Sequence, residues 1–216
     1  MSNKSTISRH FARLAVCAAL AGATLSLSGC FPLAATGVVV GTLAAVDRRT
    51  LGAQTDDTGI ELKALADLSR QVPGSGGVSV TSYNRKVLLT GQVLNEQTKR
   101  AAEALVARYA NVRSIHNELA ISGRVSVGTQ AADTSITARV KAALIDTKDL
   151  QANTIKVVTE SGVVYLMGIL TRVEGDRTAQ VVSRVSGVTR VVTVFEYASA
   201  DEMARIERAA KESGQK

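Results

Sequence analysis

The sequence predicts an α+β protein with two tandem domains, each containing the element order αββαβ. The first observation behind this prediction is an internal duplication, in which residues 57–68 align with residues 133–144. Farther along, the apolar and glycine positions of residues 78–93 align with those of residues 155–170. The second observation is that helical and strand periodicities alternate in the same order in both copies. A repeat of this length exceeds the period of common solenoids, which favours two small domains over a stacked array.

The elements of the second copy follow from the spacing of its apolar residues. Ile136, Val140 and Leu144 form one stripe of a helix, which Thr134 would cap at its N-terminus. Runs of β-branched residues predict strands, and residues 160–162 predict the turn of a hairpin between two of them. In order, the predicted elements are a helix over 135–146, strands over 155–158 and 163–167, a helix over 174–186 and a strand over 189–197.

The first copy repeats this order, and a charged segment follows the second copy. The predicted elements of the first copy are a helix over 60–70, strands over 78–82 and 86–92, a helix over 96–109 and a strand over 112–121. Residues 200–212 alternate charges with Met203 and Ile206, which predicts a helix on the surface. The predicted division of the chain is a leader over 1–29, a linker over 30–56, domains over 57–122 and 133–198 with a linker over 123–132 between them, and a charged helix and tail over 199–216.

The N-terminus is typical of a cleavable export signal. Basic residues at Lys4, Arg9 and Arg13 precede an apolar run over 14–27, which is shorter than the ~20 residues that cross a bilayer as a helix. The run ends at Leu27-Ser28-Gly29-Cys30, which resembles the lipobox of bacterial lipoproteins. That resemblance implies cleavage before Cys30, a diacylglyceryl group on its thiol and an acyl chain on its amine. An ordinary secretory signal that ends near a cysteine is the alternative.

The composition excludes several classes of function. Cys17 lies in the predicted leader and Cys30 would carry lipid, so no thiol remains for a disulfide, a metal site or nucleophilic catalysis. Without the three basic residues of the leader, the formal charge of +7 falls to +4, which is only mildly basic. The chain has three Phe, four Tyr and no Trp, too few for the stacking platforms of single-stranded nucleic-acid binding. We therefore expect no nucleic-acid partner.

A second apolar run lies directly after the predicted cleavage site. Residues 33–46 are apolar and contain glycine, and the chain turns polar at Asp47-Arg48-Arg49-Thr50. The run is too short to span a bilayer. Either it lies against the membrane surface or it forms a tether between the lipid and the first domain.

The element order and two apolar motifs resemble the BON domain family. In each copy a strand of apolar residues carries a glycine, as in residues 87–93 and 164–170, and a Val-x-x-hydrophobic motif precedes the last strand, as in 112–115 and 188–191. Two such domains behind a lipobox resemble the DolP-like outer-membrane lipoproteins. This resemblance implies two tandem BON domains, each a small mixed three-stranded sheet packed on two helices.

The resemblance also implies a location and a partner. DolP-like proteins are anchored by lipid to the outer membrane, face the periplasm, bind anionic phospholipids and support envelope integrity and outer-membrane protein assembly. The residue after Cys30 agrees with sorting to the outer membrane. It is Phe31, whereas an aspartate at this position typically retains lipoproteins in the inner membrane. We therefore expect an anionic phospholipid membrane as a partner, with the outer-membrane assembly machinery as a further candidate.

In this family the first helix of the second domain contacts the bilayer, which points to the helix over 135–146. Its apolar stripe should face the core, and a neighbouring face carries small residues, one isoleucine and flanking basic residues. The helix has no interfacial Trp or Tyr, so a solvated face with ordinary basic residues is the alternative. The candidate phospholipid-binding residues are Arg139, Lys141, Ala142, Ile145 and Lys148.

No residue pattern in the chain predicts catalysis or a metal site. His116 is the only histidine outside the leader, and no cysteine or second histidine could complete a metal site with it. Carboxylates such as Asp57 and Glu174 lie at predicted helix starts, where capping explains them. Gly91 and Gly168 lie at the ends of predicted strands, where a bulge or turn that needs no Cβ explains them. We expect no enzyme activity and no cofactor other than the lipid on Cys30.

Two hypotheses for function therefore come first, with a periplasmic hydrolase as a distant third. One is a phospholipid-binding outer-membrane lipoprotein that maintains the envelope. The other is a lipid-tethered periplasmic scaffold whose BON domains bind proteins rather than lipid. Charge reversal on the helix over 135–146 separates them, because only the first hypothesis requires that surface.

Overall fold

A computed structural model of the chain describes residues 47–122 and 127–213, all within one compact unit. Cys30, the leader and the apolar run over 33–46 lie outside the described residues. The first copy contains α1 (Leu51–Gln71), β1 (Val78–Tyr83), β2 (Lys86–Val93), α2 (Glu96–Val106), β3 (Ser114–Asn117) and β4 (Ala120–Ile121). The second copy contains α3 (Val127–Asp146), a 3₁₀ turn (Ala152–Thr154), β5 (Lys156–Glu160), β6 (Val163–Leu170), α4 (Arg172–Ser183) and β7 (Arg190–Tyr197), and α5 (Ala200–Ser213) follows it.

Each copy forms one small mixed sheet, which confirms the predicted α+β fold. In the first copy β2 pairs antiparallel with β1 and parallel with β3, and in the second copy β6 does the same with β5 and β7. The last strand of the first copy is divided into β3 and β4, which both pair parallel with β2, so this sheet has four strands. The single strand predicted over 112–121 is interrupted where the Leu119 side chain turns into the core, 1% exposed.

The helices cover one face of each sheet and form two separate cores. Ile136, Val140 and Leu144 are at most 5% exposed, which confirms the predicted stripe of α3. They pack against Val164 and Leu166 of β6. In the first copy the corresponding core forms between Ile60, Ala64 and Leu68 of α1 and Val87 and Leu89 of β2. Burying each large aliphatic side chain contributes roughly 1.5–3 kcal/mol, and these contacts position both helices.

Both first helices begin earlier than their apolar stripes predicted. Helix α1 begins at Leu51 rather than residue 60, because the Thr50 hydroxyl accepts a hydrogen bond from Ala53 N at 3.1 Å. Helix α3 is already formed at Val127, so Thr134 is not its N-cap. The Thr134 hydroxyl instead donates to Gln130 O at 3.0 Å, inside the helix. The added turns have no apolar periodicity, and for this reason the sequence pattern missed them.

The opposite faces of the two sheets meet in a third apolar cluster. Tyr83 and Leu88 of the first copy pack here with Tyr165 and Met167 of the second copy. Met203 of α5 completes the cluster and is 5% exposed. Residues 200–213 form the predicted helix, most of its side chains are exposed, and Met203 attaches it to this cluster. The two copies and α5 consequently pack as one body.

Candidate functional site

The outer face of α3 exposes most of the candidate phospholipid-binding residues. Lys141, Ala142 and Ile145 are all exposed, and Ile145 is 68% exposed. They face outward because Ile136, Val140 and Leu144 occupy the opposite side of the same helix. Beta-branched Ile145 therefore presents an apolar side chain to the surroundings at the C-terminal end of α3.

A shallow groove of about 250 Å³ lies beside Ile145. Lys141 and Ile145 stand on its rim, and Ile155 and Val157 of the neighbouring strand region line it with Ala152. The groove thus combines aliphatic side chains with one ammonium group and the side-chain amide of Asn153. An acyl chain segment and a phosphate are the kinds of groups that match the first two of these features.

Arg139 lies on the other flank of α3 from Lys141. Two residues apart on a helix, their side chains point roughly 160° away from each other. The Arg139 guanidinium donates from Nε to Ser186 O at 3.1 Å and from Nη1 to Ser135 Oγ at 2.6 Å. It therefore holds the segment after α4 against α3, and the structure does not bring it together with Lys141.

Lys141 and Lys148 are the freer basic groups of this surface. Both are exposed, and neither forms an ion pair within the part of the chain that the structure describes. Asp149, beside Lys148, instead accepts from Arg177 of α4 at 3.3 Å. The surface around Ile145 therefore carries two lysines and one exposed carboxylate, Asp146, which directly follows Ile145.

Helix α4 adds exposed residues to this side of the second copy that the sequence analysis did not identify. Val173 is 78% exposed in its first turn, and Arg172 beside it is also exposed. The Arg172 guanidinium stacks 3.8 Å above the Tyr197 ring. In the sequence, the sign of this exposed surface is one valine that lies outside the buried stripe of an amphipathic helix. A single exposed apolar residue is common on protein surfaces, so it does not identify a site by itself.

Arg48 fastens the segment before α1 to the second copy. Its side chain is 3% exposed, and its Nη1 donates to Ile169 O at 2.9 Å. Its Nη2 pairs with Glu174 of α4 at 2.7 Å and with Glu207 of α5 at 3.0 Å. We call this set of contacts the Arg48 latch. Neither Glu partner is near Arg48 in sequence, so sequence analysis had no signal for it.

Glu174 has two structural roles at once. It forms a capping box with Thr171 at the start of α4, which confirms the capping prediction for this residue. Burial opposes its charge, yet hydrogen bonds from Arg48 and from Thr171 N lower the pKa of Glu174 overall. The latch therefore requires an ionised carboxylate at the N-terminus of α4.

Arg49 joins the same segment to the first copy. Its guanidinium pairs with Asp47 at 2.7 Å and with Asp57 at 2.8 Å, and it lies 4.3 Å from the centroid of the Tyr83 ring. Burial raises the pKa of Tyr83, whose hydroxyl donates to Thr154 O of the second copy at 3.1 Å. Arg48 and Arg49 therefore attach residues 47–50 to the second copy and to the first copy, respectively.

Asp57 and Asp133 hold the hairpin turns of the two copies. Asp57 accepts from Ser82 Oγ, Asn84 N and Arg85 N, each at 2.7 Å. Asp133 accepts from Ser161 N at 2.7 Å and Gly162 N at 2.8 Å. The capping prediction for Asp57 is wrong, because this residue lies within α1 and is 3% exposed.

The surroundings of Gly91, Gly168 and His116 indicate structural roles and no binding site. A Cβ on Gly91 would lie 2.0 Å from Gly77 O, and one on Gly168 would lie 3.0 Å from Thr154 O. Both glycines therefore allow a close backbone approach, as the bulge prediction expected. His116 is exposed on β3, and within residues 47–122 and 127–213 no cluster of three metal-ligating side chains occurs.

No helix among the described residues has the length and apolar character needed to cross a membrane. Among the described residues, the candidate functional features are an exposed basic and apolar helix face, a groove beside it and the segment that Arg48 attaches to the second copy. Such surfaces suit binding and positioning.

Comparison with known proteins gives consistent matches. The BON domain family model matches residues 56–123 and 132–199. The outer membrane lipoprotein DolP of Haemophilus influenzae is 36% identical over 182 residues, which is 83% of this chain and 94% of that protein. The 21 kDa hemolysin of Actinobacillus pleuropneumoniae is 34% identical over 154 residues, 70% of this chain and 79% of that protein.

Among solved structures, CdsD, a structural protein of the type III secretion system of Chlamydia trachomatis, matches at 15% identity with a TM-score of 0.30. That match covers 67% of this chain and 95% of the CdsD chain. The values are too low to support an inference about function.

Proposed function

Since this chain belongs to the DolP family of outer-membrane lipoproteins with two BON domains, we propose that it binds anionic phospholipids through the outer face of α3. In this proposal a lipid on Cys30 anchors the chain to the outer membrane, and the folded part faces the periplasm. Binding there supports envelope integrity and outer-membrane protein assembly. No catalytic step is part of the proposal.

The proposal depends on the exposure of Ile145 near Lys141 and Lys148, which form no ion pair among residues 47–122 and 127–213. An apolar side chain that is 68% exposed gains from insertion below lipid headgroups, and Lys141 and Lys148 lie within a few residues of it. Ala138 and Ala142 keep the adjacent helix surface flat, so the helix axis can approach the headgroups closely. This arrangement matches a helix that lies along an anionic interface.

The expected affinity of this surface alone is low. Each basic group near an anionic leaflet contributes roughly 1 kcal/mol, and insertion of one isoleucine adds about 1–2 kcal/mol. A lipid anchor raises the local concentration of the surface at the membrane, so a weak contact is occupied much of the time. The anchor supplies attachment, and the α3 face supplies orientation and headgroup preference.

Vesicle co-sedimentation of the chain carrying Cys30→Ser, which removes the lipidation site, tests the lipid contact. We expect binding to vesicles with phosphatidylglycerol and little binding to pure phosphatidylcholine. Reversing two charges with Lys141→Glu and Lys148→Glu should lower the affinity at least about 10-fold. Arg139→Glu is less informative, because its contacts with Ser186 and Ser135 make it structural.

The matched control reverses two exposed basic residues elsewhere, with Arg100→Glu and Arg208→Glu. It changes the net charge by the same amount but leaves the α3 face intact. If the control lowers vesicle binding as much as the α3 variant, binding depends on overall charge and the proposed surface is wrong. In a strain lacking the gene, the wild-type chain should restore the barrier to vancomycin, whereas Cys30→Ser should not.

A further inference from the structure

A different surface, on the first copy, stands out because it is apolar and uncovered within the described residues. Along α1, exposed side chains recur at alternating spacings of four and three residues, the period at which one helix packs along another. We call this set the α1 seam. Its members are Leu51, Thr55, Thr58, Leu62, Leu65 and Ser69.

The polar members of the seam satisfy their hydroxyls on their own helix. Thr55 Oγ1 donates to Leu51 O, Thr58 Oγ1 to Gln54 O and Ser69 Oγ to Ala66 O, each at 3.0 Å. Their methyl and methylene groups therefore remain for packing. Leu62 and Leu65 are 67% and 44% exposed, so the seam exposes leucines that the fold of the first copy does not use.

A groove of about 500 Å³ runs beside the seam, between α1 and the residues that follow α2. Gly59, Ile60 and Ala110 line it together with the Tyr109 ring. At Gly59, no atom lies within 4 Å of the position that a Cβ would take. A glycine inside a helix lowers helix stability, and this one leaves room for the close approach of another backbone.

The charged side chains around this groove differ in whether they already have a partner within the molecule. Asp56 accepts from Arg85 at 2.7 Å and from Asn111 at 2.8 Å, so its charge is compensated inside the molecule. Lys63 stands over the Tyr109 ring at 4.5 Å, with its ammonium group at the rim. Arg108 is exposed and forms no ion pair within the residues that the structure describes. The charges left for a ligand are therefore both positive.

Tyr109 fixes the wall of the groove. Its hydroxyl donates to Asp67 at 2.8 Å, and burial together with this hydrogen bond raises the pKa of Tyr109 to about 12. Asp67 also pairs with Arg70 at 2.8 Å, so a second carboxylate near the groove is already engaged. The groove thus has a rigid aromatic wall, a floor without a side chain at Gly59 and a basic rim.

We propose that the α1 seam and its groove dock an acidic amphipathic helix of a partner protein. The seam spacing matches a helix, the open space at Gly59 admits its backbone, and Lys63 and Arg108 pair with carboxylates on its flank. From Leu51 to Ser69 the seam is roughly 27 Å long, enough for about five helical turns. This surface lies on the first copy and does not depend on the α3 face.

The test uses two synthetic amphipathic helical peptides of about 18 residues. Both carry leucines at helical spacing, and one has glutamates and the other lysines at the flanking positions. The probe that carries glutamates should bind the full chain at least about 10-fold more tightly in fluorescence anisotropy. Amide chemical shifts should change in residues 51–66 and 108–111 and remain unchanged on α3.

Reversing the two basic residues of the groove tests the proposed charge complementarity most directly. In the chain with Lys63→Glu and Arg108→Glu, the preference should reverse toward the lysine-flanked peptide. Both residues are exposed, so these changes leave the core intact. Equal binding of both peptides before and after the exchange would overturn the proposal.

Two further variants separate docking from folding and from lipid binding. Gly59→Leu fills the groove without meeting an atom within 4 Å at its Cβ, so it should keep the unfolding midpoint within a few degrees and abolish peptide binding. Ile145→Asp on α3 should leave peptide binding unchanged. If anionic vesicles shift the same residues 51–66, or if the chain forms a dimer that Leu62→Asp dissociates, the occupant is a membrane or a second copy and the proposal is wrong.

Discussion

The two first helices of the duplicated domains have matching inner faces and different outer faces. Helix α1 buries Ile60, Ala64 and Leu68, and α3 buries Ile136, Val140 and Leu144 at the aligned positions. Each helix also carries one buried aspartate that holds its own hairpin turn. Toward the outside, α1 presents a leucine seam beside a groove, whereas α3 presents alanines, one isoleucine and one lysine, Lys141. The comparison indicates that the fold constrains the inner faces and leaves the outer faces free to differ, as the two proposed partners require.

The largest expected difference between the two copies concerns their buried aspartates. Asp57 holds three donors of the first hairpin and the guanidinium of Arg49, whereas Asp133 holds two backbone amides. Asp57→Ala leaves three hairpin donors without their acceptor and removes one of the two carboxylates that pair with Arg49, so it should lower the free energy of unfolding by about 3–5 kcal/mol. Asp133→Ala should cost about 1–3 kcal/mol.

Urea denaturation of the two variants measures this difference directly. Asp57→Asn serves as a control, because it retains one acceptor oxygen and removes the charge. Equal losses of stability for Asp57→Ala and Asp133→Ala would mean that Arg49 and Ser82 contribute little, and that the two copies do not differ in this respect.

Acid should weaken the second copy through the Arg48 latch. The pKa of Glu174 is lower in the folded chain than its ordinary value of 4.5, so its ionisation stabilises the fold above about pH 4.5. This contribution is lost as the pH falls through the folded pKa. Glu174→Gln should therefore be less stable than the wild type at neutral pH, and the difference should shrink steadily below about pH 4.5.

Thermal unfolding of the wild type and Glu174→Gln between about pH 3 and pH 7 checks this expectation. A stability difference that stays constant over the whole range would show that the carboxylate charge is not what the latch uses. Thr171→Val in parallel separates the capping function from the ion pair, since it removes the cap and leaves Arg48 its partner.

Replacing one exposed apolar residue on each helix with aspartate should affect the two proposed partners independently. Ile145 and Leu62 are 68% and 67% exposed, so Ile145→Asp and Leu62→Asp are matched in burial. Ile145→Asp should lower the affinity for phosphatidylglycerol vesicles about 10-fold, and Leu62→Asp should leave it unchanged. Each change should alter stability by less than about 0.5 kcal/mol, because neither residue is buried. A similar loss of vesicle binding in both variants contradicts the division between the helices.

The smallest expected effect is a gain in stability at Gly59. Gly59→Ala adds a methyl group where no atom lies within 4 Å and removes a glycine from a helix interior. The free energy of unfolding should rise by up to about 1 kcal/mol. Ser135 occupies the aligned position on α3, and Ser135→Ala should give no such gain, since it removes the oxygen that accepts from Arg139. Calorimetry of both variants checks the contrast, and a loss of stability at Gly59→Ala contradicts the assignment of open space there.

The sequence predicted the features that depend on local spacing. The buried stripe of α3, the hairpin turn at residues 160–162 and the exposure of Ile145 all follow from periods that a single segment contains. The helix starts were predicted too late, because the first turns of α1 and α3 have no apolar stripe. Burial of Met203 was missed, because its contacts come from sheet faces that pack only in the folded chain.

The features formed between distant segments could not be predicted from spacing. Arg48 is separated by 121 residues from Ile169 and by 159 residues from Glu207. The sequence pattern also gives no clear signal for the α1 seam, because charged residues on both flanks of α1 separate its exposed leucines. Lipidation of Cys30 concerns a residue outside the described ranges and stays a prediction.

The Arg48 latch has a mechanical consequence for the molecule. Arg48 comes before the first domain in sequence, yet its contacts are with Ile169, Glu174 and Glu207 of later segments. Tension on the chain before Asp47 would therefore be shared between the second copy and α5, through Arg48, and α1, through Arg49 and Asp57. In the proposed lipid-anchored protein, the start of α1 would not carry this load alone.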